Sequence, residues 1–205
     1  MPTEKFLKLK KNKKDLIYRG IKELLAKKNY TDISASDIIE EIGISRGSFY
    51  SYFVDKKDSV KAYILYYGFI QINLFKERIL QNNGDYFKAI REMYYYSKEE
   101  AIRTNANFIV SNLQFVSEVI VELLEDDDTV LLGMSYFTEW CLEHIPKDYF
   151  NVKCDNERMH YINVLSITAV INTLSNFFRY EILKKDNSKV DSLLDIQLEI
   201  IRNGA

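Results

Sequence analysis

Apolar residues recur every three or four positions along most of this chain, which is the spacing of an amphipathic helix. The first such segment runs from about Lys13 to Lys28, and a shorter one follows Ser34. Further helices are predicted from Asp55 to about Leu80 and at roughly 86–97, 101–125, 128–145, 157–183 and 189–203. Two prolines and seven glycines leave few breaks, so the pattern predicts an all-α protein.

The stretch from Ser34 to Lys56 predicts two short helices joined by a tight turn. Ser34 suits a helix N-cap, and Asp37 three residues later completes a capping-box pair. Gly43 is expected to end the first helix, because glycine tolerates the left-handed backbone conformation. Ser45 suits the N-cap of the second helix.

The second short helix has two different faces. Phe49 and Phe53 lie four residues apart and share an apolar side. A helix with an apolar back and a polar front without acids is typical of one that enters a DNA groove. The front carries only hydrogen-bond donors, namely Arg46, Ser48, Tyr50, Ser51 and Tyr52.

This stretch resembles the helix-turn-helix of tetracycline-repressor-type (TetR-like) transcriptional regulators in three runs: 37–39 (DII), 43–50 (GISRGSFY) and 52–53 (YF). The similarity covers about residues 9 to 69. Asn29 stands where the family usually ends its first helix with glycine, and we expect it to supply the left-handed cap instead. Val54 and Lys57 replace the common proline and acid.

The resemblance implies an N-terminal three-helix helix-turn-helix DNA-binding domain and a C-terminal helical ligand-binding and dimerisation domain. We therefore expect a basic arm at 1–8, a TetR-type DNA-binding domain at 9–69, and an effector-binding and dimerisation domain at 70–205. It also implies DNA-contact roles for Ser34, Ser45, Arg46, Gly47, Ser48, Tyr50, Ser51, Tyr52 and Lys56.

These contact roles divide by position in the motif. Arg46 and Ser48 lie at the start of the second helix and are expected to reach base edges. Phosphate contacts are expected from residues at helix starts or on the outer edge, namely Ser34, Tyr50 and Lys56.

The function predicted from the resemblance is that of a transcriptional repressor, released from a palindromic operator by a small-molecule effector. Its last two helices, 157–203, carry more apolar residues than one domain core covers, so a homodimer is expected there. The alternative is a helical ligand-binding or interaction bundle that keeps a vestigial helix-turn-helix. Sequence-specific binding to duplex DNA would separate the two.

Residues 86–145 are rich in aromatic side chains. The resemblance implies an effector pocket in this part of the chain, and pockets are mostly apolar with a few polar groups. Each aromatic residue has the competing interpretation of an ordinary core residue. The pocket residues we predict are Tyr63, Tyr67, Tyr94, Phe115 and Trp140.

The net charge of −2 hides an asymmetry along the chain. Residues 1–60 hold 13 basic and 9 acidic side chains, and the remainder is acidic overall. Six lysines against one glutamate lie within the first 14 residues. Such a segment either adds phosphate contacts or forms a solvated tail, and both interpretations stay open.

Two clusters of metal-ligating residue types were considered. Zinc binding by Cys141, His144, Cys154 and His160 would require four side chains to converge in a tetrahedron, which their spacing does not demand. The acids at 126–128 fit a solvated helix junction better than a cation site. We therefore expect no metal and no cofactor.

The chain lacks the motifs of common enzymes and exported proteins. It has no phosphate-binding glycine loop, no Gly-x-Ser-x-Gly sequence and no His-Glu-x-x-His pair, so no enzymatic activity is expected. No apolar run of about 18 residues and no signal peptide is evident, and the two cysteines do not suggest a disulfide framework. A cytoplasmic location is the expectation.

Overall fold

The structure is a computed structural model that describes residues 2–103, 115, 118–119, 122 and 128–204, with only the backbone described at 128–132. Over these residues the regular structure is helical and contains no strand, which confirms the all-α prediction. The helices are α1 Glu4–Leu7, α2 Lys11–Lys27, α3 Ala35–Ile42, α4 Arg46–Tyr52, α5 Lys56–Gln81, α6 Tyr86–Arg103, α7 Asp128–His144, α8 Asn156–Ile182 and α9 Val190–Gly204.

The described residues form two compact units. Unit 1 contains the chain up to Gln71 together with Phe115, Glu118 and Val119. Unit 2 contains the remaining described residues, so α5 belongs in part to each unit. The domain boundaries expected between residues 8 and 9 and between residues 69 and 70 stay predictions.

Unit 1 is built on the apolar faces of α2, α3 and α4. Ile21, Ile38 and Phe49 are almost wholly buried, and together they join the three helices in one core. Helices α2 and α3 approach closely at Gly20, where an added Cβ would lie 3.0 Å from Cγ1 of Ile42. The small residue therefore sets the distance between the first helix and the motif.

The short helices of unit 1 begin and end where the sequence predicts. The Ser34 hydroxyl accepts a hydrogen bond from the Asp37 amide at 3.1 Å, and the Asp37 carboxylate accepts one from the Ser34 amide at 2.8 Å. Gly43 follows α3 with a φ of 70°, in the left-handed region. The Ser45 hydroxyl accepts from the Ser48 amide at 3.1 Å. The capping box, the turn and the second cap are confirmed.

The start of α5 explains one departure from the family pattern. The Asp55 carboxylate accepts from the Asp58 amide at 2.7 Å, and the Asp58 carboxylate accepts from the Val54 amide at 2.9 Å. A proline at 54 has no amide proton to donate. Val54, unlike proline, therefore supplies the backbone amide for the second of these hydrogen bonds.

The prediction that Asn29 caps the first helix in the left-handed conformation is wrong. Asn29 has an extended backbone, with φ −64° and ψ 148°, and a 3-10 turn follows at Tyr30–Asp32. Lys28 ends α2 with its amide bonded to the Leu24 carbonyl and then leaves in an extended conformation. Because the chain exits in this way, no left-handed residue is required.

The N-terminal residues differ from a solvated tail, and their phosphate contacts stay a prediction. They include helix α1, and Phe6 of this helix is completely buried in the core of unit 1. Lys5 of this helix and Lys8, its C-cap residue, remain exposed. One aromatic residue among the lysines therefore fixes the segment to the domain.

Unit 2 assembles long helices around a core that contains polar groups. The Tyr86 hydroxyl donates to Oδ1 of Asn163 at 3.0 Å, and Nδ2 of Asn163 donates to the Thr138 hydroxyl at 3.4 Å. All three residues are buried, and they come from α6, α8 and α7. The network ties these helices together inside the core.

Helix limits in unit 2 match the predictions except in one region. Helix α6 continues to Arg103, beyond the predicted end at 97. The helix predicted at 101–125 overlaps this end, and most of its other residues lie outside the described part of the chain. Residues 126 and 127 of the acidic run also lie outside it.

Within the described residues, α8 alone meets the length and composition of a membrane span, with a mean hydropathy of 1.2 over its most apolar window. Core helices of globular proteins meet the same test. Its buried side carries Asn163 and Thr173, which hydrogen-bond within unit 2. These contacts are those of a core helix.

Candidate nucleic-acid interface

Helix α4 presents the two faces that the sequence predicts. Phe49 and Phe53 are completely buried, with ring centroids 5.6 Å apart. Tyr50 lies on the opposite side and is 45% exposed, and the Arg46 guanidinium lies 5.7 Å from the centre of its ring. The apolar back anchors the helix in unit 1, and the front faces solvent.

The predicted contact residues differ in their exposure. Ser48 and Ser51 are half-buried, and the Ser51 hydroxyl donates to the Ser48 carbonyl at 2.8 Å. The Ser45 hydroxyl donates to the Ser48 hydroxyl at 2.9 Å. The exposed members of the set are Ser34, Ser45, Arg46, Gly47 and Tyr50.

Two of the three acids of α3, Asp37 and Glu41, are paired with lysines at the end of α2. Lys28 contacts Asp37 at 2.7 Å and Lys27 contacts Glu41 at 2.8 Å. The hydrogen bond from Lys28, followed by those from Ser34, holds the pKa of the Asp37 carboxyl well below its usual range. The charges of these two carboxylates are therefore locally balanced, which lowers their repulsion of a polyanion.

Lys56 has a structural role besides its predicted phosphate contact. Its ammonium donates to the carbonyls of Tyr30 and Ile33 at 3.0 and 2.8 Å, and it lies 4.0 Å from the centre of the Tyr30 ring. The lysine thus holds the turn that precedes the capping box. An ammonium has three protons, so one remains for a phosphate.

Tyr52 is placed differently from the other predicted contact residues. It is only 4% exposed, and its ring packs edge-to-face on Phe6 with centroids 6.0 Å apart. The ammonium of Lys13 lies 5.6 Å from the Tyr52 ring centre. The ring is therefore part of the core of unit 1, and the sequence alone did not indicate this because its partner Phe6 is 46 residues earlier.

Three of the five predicted pocket residues lie in unit 1. Tyr63 is buried and its ring centroid lies 6.2 Å from that of Tyr67. Phe115 stacks on Tyr30 with centroids 3.5 Å apart. Each of the three thus has an aromatic partner within this unit.

The other two predicted pocket residues lie in unit 2. The Tyr94 hydroxyl donates to the Asp191 carboxylate at 2.6 Å, and burial followed by this hydrogen bond raises the pKa of Tyr94. Trp140 stacks on His144 with centroids 4.1 Å apart. Since the five residues divide between the units, the effector pocket stays a prediction.

Among the described residues of unit 2, α6 with α9 and α7 with α8 each line a surface groove, and none of the five residues lines either of these. The larger, of about 510 Å³, lies between α6 and α9 and contains the Arg91–Asp195 ion pair. The smaller, of about 230 Å³, lies between α7 and the start of α8. Both are lined mainly by charged and polar side chains.

Cys141 and His144, two of the four residues named for zinc, each have surroundings or partners of their own. Burial raises the pKa of the Cys141 thiol to about 12, and Nδ1 of His144 lies 2.8 Å from the Trp140 carbonyl oxygen. Within the part of the chain that the structure describes, no group of three or more histidine, cysteine or acidic side chains is placed to hold a metal ion.

Comparison with known proteins assigns the N-terminal region. Residues 17–63 match the family model of bacterial regulatory proteins of the tetR family. An uncharacterized HTH-type transcriptional regulator in the lacX 3' region of Lactococcus lactis subsp. lactis is 39% identical over 54 residues. That match covers 26% of this chain and 28% of the relative.

A solved structure also aligns over the whole chain. It is a TetR family transcriptional regulator from Chloroflexus aurantiacus J-10-FL, with 20% sequence identity and a TM-score of 0.43. The alignment covers 100% of this chain and 98% of the other.

The family match falls on the elements that form the outward-facing helix and its support. It extends from the middle of α2 through the capping box of α3, the turn at Gly43 and α4, and into α5. The N-terminal helix-turn-helix region of this chain is therefore similar to that of the TetR-like regulators.

Proposed function

We propose that the protein is a cytoplasmic, sequence-specific DNA-binding transcriptional repressor that acts on a palindromic operator. The exposed face of α4 carries this proposal. Arg46 and Tyr50 point outward from a buried aromatic back, and no carboxylate lies on the face. A short helix held in this way fits the major groove and offers donors to both base edges and phosphates.

Within this surface we assign base contacts to Arg46 and Ser48. An arginine at the exposed start of a recognition helix suits the bidentate contact with guanine O6 and N7. Ser34, Tyr50 and Lys56 are assigned to the phosphate backbone, and the half-buried Ser51 and the buried Tyr52 support the surface from behind.

The assembly we propose is a homodimer through residues 157–203. Both α8 and α9 carry large apolar side chains that are exposed in the single chain. Covering them in a twofold interface would remove apolar surface from water and place two recognition helices about 34–36 Å apart, one turn of DNA. The exposed residues are Tyr161, Leu165, Ile167, Ile182, Leu193, Ile196 and Ile200.

Regulation is proposed to come from a small molecule that binds within residues 70–205. This effector favours a conformation of the dimer that cannot bind both half-sites of the operator at once. A hundredfold loss of operator affinity requires about 2.7 kcal/mol of coupling free energy. Because linkage is reciprocal, operator DNA must weaken effector binding by the same factor.

Selection of bound sequences from random duplex DNA tests the central proposal. We expect an enriched palindrome, and no enrichment would favour the alternative of a vestigial helix-turn-helix. On the selected operator, Arg46→Ala should cost about 1–3 kcal/mol and relax the sequence preference at one position in each half-site.

Lys56→Ala should weaken binding to all DNA sequences alike and lower the slope of log affinity against log salt concentration by about one. Lys88→Ala, an exposed lysine of unit 2, serves as the matched control and should leave both values unchanged. Because Lys56 also holds the turn at Tyr30–Ile33, circular dichroism of the variant must first show a folded domain. Unchanged affinity in both Arg46→Ala and Lys56→Ala would contradict the assigned surface.

Sedimentation at micromolar concentration tests the dimer. We expect a species of twice the 24.2 kDa chain mass, and Leu165→Glu should shift it toward the monomer by placing a charge in the interface. Leu80→Glu makes the same change at an exposed leucine outside residues 157–203 and is the matched control. A single 24.2 kDa species in the unmodified protein would contradict the interface.

Ligand screening against the protein–operator complex tests regulation. An effector should release the DNA, and titration with and without operator should give unequal effector affinities. Equal affinities would show that the ligand does not control DNA binding.

A further inference from the structure

The N-terminal segment, residues 2–8, contacts the end of the recognition helix α4. The Thr3 amide donates to the Tyr52 carbonyl at 3.0 Å, and the Thr3 hydroxyl donates to the Ser51 carbonyl at 2.8 Å. Ser51 and Tyr52 are the last two residues of α4. Two carbonyls at the end of the helix are thus satisfied by one residue that lies 48 and 49 positions earlier in the chain.

Helix α4 needs such support because it is short. It contains seven residues and includes Gly47, and helices of this length are marginal without tertiary contacts. Its N-terminus is capped by Ser45. Its C-cap residue Phe53 leaves in an extended conformation, so the chain forms no left-handed C-cap there.

Phe6 anchors the segment beside the same helix end. Its side chain is completely buried, and its ring centroid lies 4.8 Å from that of Phe53 and 6.0 Å from that of Tyr52. A third contact joins it to Tyr18 of α2 at 5.5 Å. Phe6 thus packs the end of α4 against α2.

The segment has its own local order, so these contacts are not those of a loose tail. The Thr3 hydroxyl also accepts from the Phe6 amide at 3.4 Å, which caps α1. The Lys14 ammonium donates to the Leu7 carbonyl at 2.6 Å and closes the other end of α1. Both ends of the four-residue helix are therefore held.

We propose that the N-terminal segment is a clamp that holds α4 in its DNA-binding conformation, with Thr3 and Phe6 as positioning residues. This inference rests on the proposed DNA-binding function. It differs from the phosphate-contact arm predicted from the lysines, because the clamp acts through an uncharged hydroxyl and a buried ring. The two models therefore respond differently to salt.

Thr3→Val tests the clamp on operator DNA. It keeps the side-chain volume but removes the hydroxyl, and the usual worth of such hydrogen bonds corresponds to about a two- to tenfold loss of affinity. The slope of log affinity against log salt should stay unchanged, since no charge is lost. Thr3→Ser keeps the hydroxyl and should bind the operator with the affinity of the unmodified protein.

Amide hydrogen exchange in the DNA-free protein gives a readout that does not depend on DNA binding. The Phe53 amide, bonded to the Phe49 carbonyl at 2.9 Å, reports opening of α4. Thr3→Val should speed its exchange by about two- to tenfold, while the Gly43 amide at the end of α3 should not change. Phe6→Ala should have the larger effect, and Leu7→Ala, at a 58% exposed position of the same helix, should have none.

The outcomes separate the clamp from the proposed function. One outcome is that the protein selects no DNA sequence while Thr3→Val still speeds amide hydrogen exchange in α4. In that case the proposed DNA-binding function fails, but the clamp on α4 stands. If Thr3→Val matches Thr3→Ser in both affinity and exchange, the clamp is overturned. Equal exchange increases in α3 and α4, or a lowered salt slope, would also overturn it, because they indicate general destabilisation or a phosphate contact.

Discussion

The hydrogen bonds at the helix starts of unit 1 and those in the core of unit 2 differ in sequence range. In unit 1 the hydrogen bonds at helix starts join residues three positions apart, such as Ser34 with Asp37 and Ser45 with Ser48. In unit 2 the Tyr86–Asn163 bond spans 77 positions. Local contacts form as soon as a helix starts, whereas distant ones require that the helices have already packed.

The two sets of hydrogen bonds hold helices in place in two different ways. The short helices of unit 1 have their ends defined by caps, and their apolar residues then bury one face. The long helices of unit 2 are joined by side chains between α6, α7, α8 and α9. We therefore expect substitutions at helix ends to weaken unit 1, and substitutions at buried polar positions to weaken unit 2.

The largest effect is expected from Asn163→Ala in unit 2. It removes both bonds of a buried side chain and leaves the Tyr86 and Thr138 hydroxyls without this partner, which should cost about 2–3 kcal/mol of unfolding free energy. Asn172→Ala, at an exposed position of the same helix, is the control and should change stability little. Urea denaturation measures both, and equal effects would contradict the importance of the buried network.

The next largest effect on stability is expected from Gly43→Ala in unit 1. The backbone there has a φ of 70°, and nothing lies within 4 Å of an added Cβ, so the cost is conformational. We expect a loss of about 1–2 kcal/mol in thermal or urea unfolding. Gly47→Ala, inside α4 and equally free of contacts, should be neutral or stabilising. A neutral Gly43→Ala would show that the turn does not need the left-handed conformation.

Ser34→Ala should cost about 1 kcal/mol at neutral pH through loss of the α3 cap. The pKa of Asp37, its capping partner, is lowered in the folded state by Lys28 and Ser34. Stability from Asp37 is therefore present above the ordinary carboxyl pKa of about 3.9 and is lost as pH falls through the lowered value. Urea unfolding of Asp37→Asn and the unmodified protein should converge in acid, and a constant difference would contradict this linkage.

The smallest effect is expected from Arg91→Met, although its ion pair with Asp195 joins distant helices at 2.6 Å. The two side chains are 41% and 51% exposed, so solvent screens the pair and a change of at most about 0.5 kcal/mol is expected. Asp195→Asn should behave alike in urea unfolding. A loss as large as that of Asn163→Ala would show that sequence range, and not burial, decides the contribution in unit 2.

The sequence by itself determined the local features of unit 1. Ser34, Gly43 and Ser45 act through their own backbone or a partner three residues away, so their roles follow from residue type and spacing. The inward direction of Phe49 and the outward direction of Tyr50 also follow from helical periodicity. The exposed face of α4 was predictable for this reason.

Tertiary structure decided the features whose partners are distant in the chain. The N-terminal lysines suggested a phosphate-contacting arm or a solvated tail, but Phe6 and Thr3 find their partners near residue 52 and become part of the domain. Tyr52 is buried because Phe6 reaches it, and Tyr94 bonds Asp191 97 positions away. Periodicity shows which face of a helix is apolar, but only packing selects which distant side chain meets it, because that choice depends on the free energy of the assembled core.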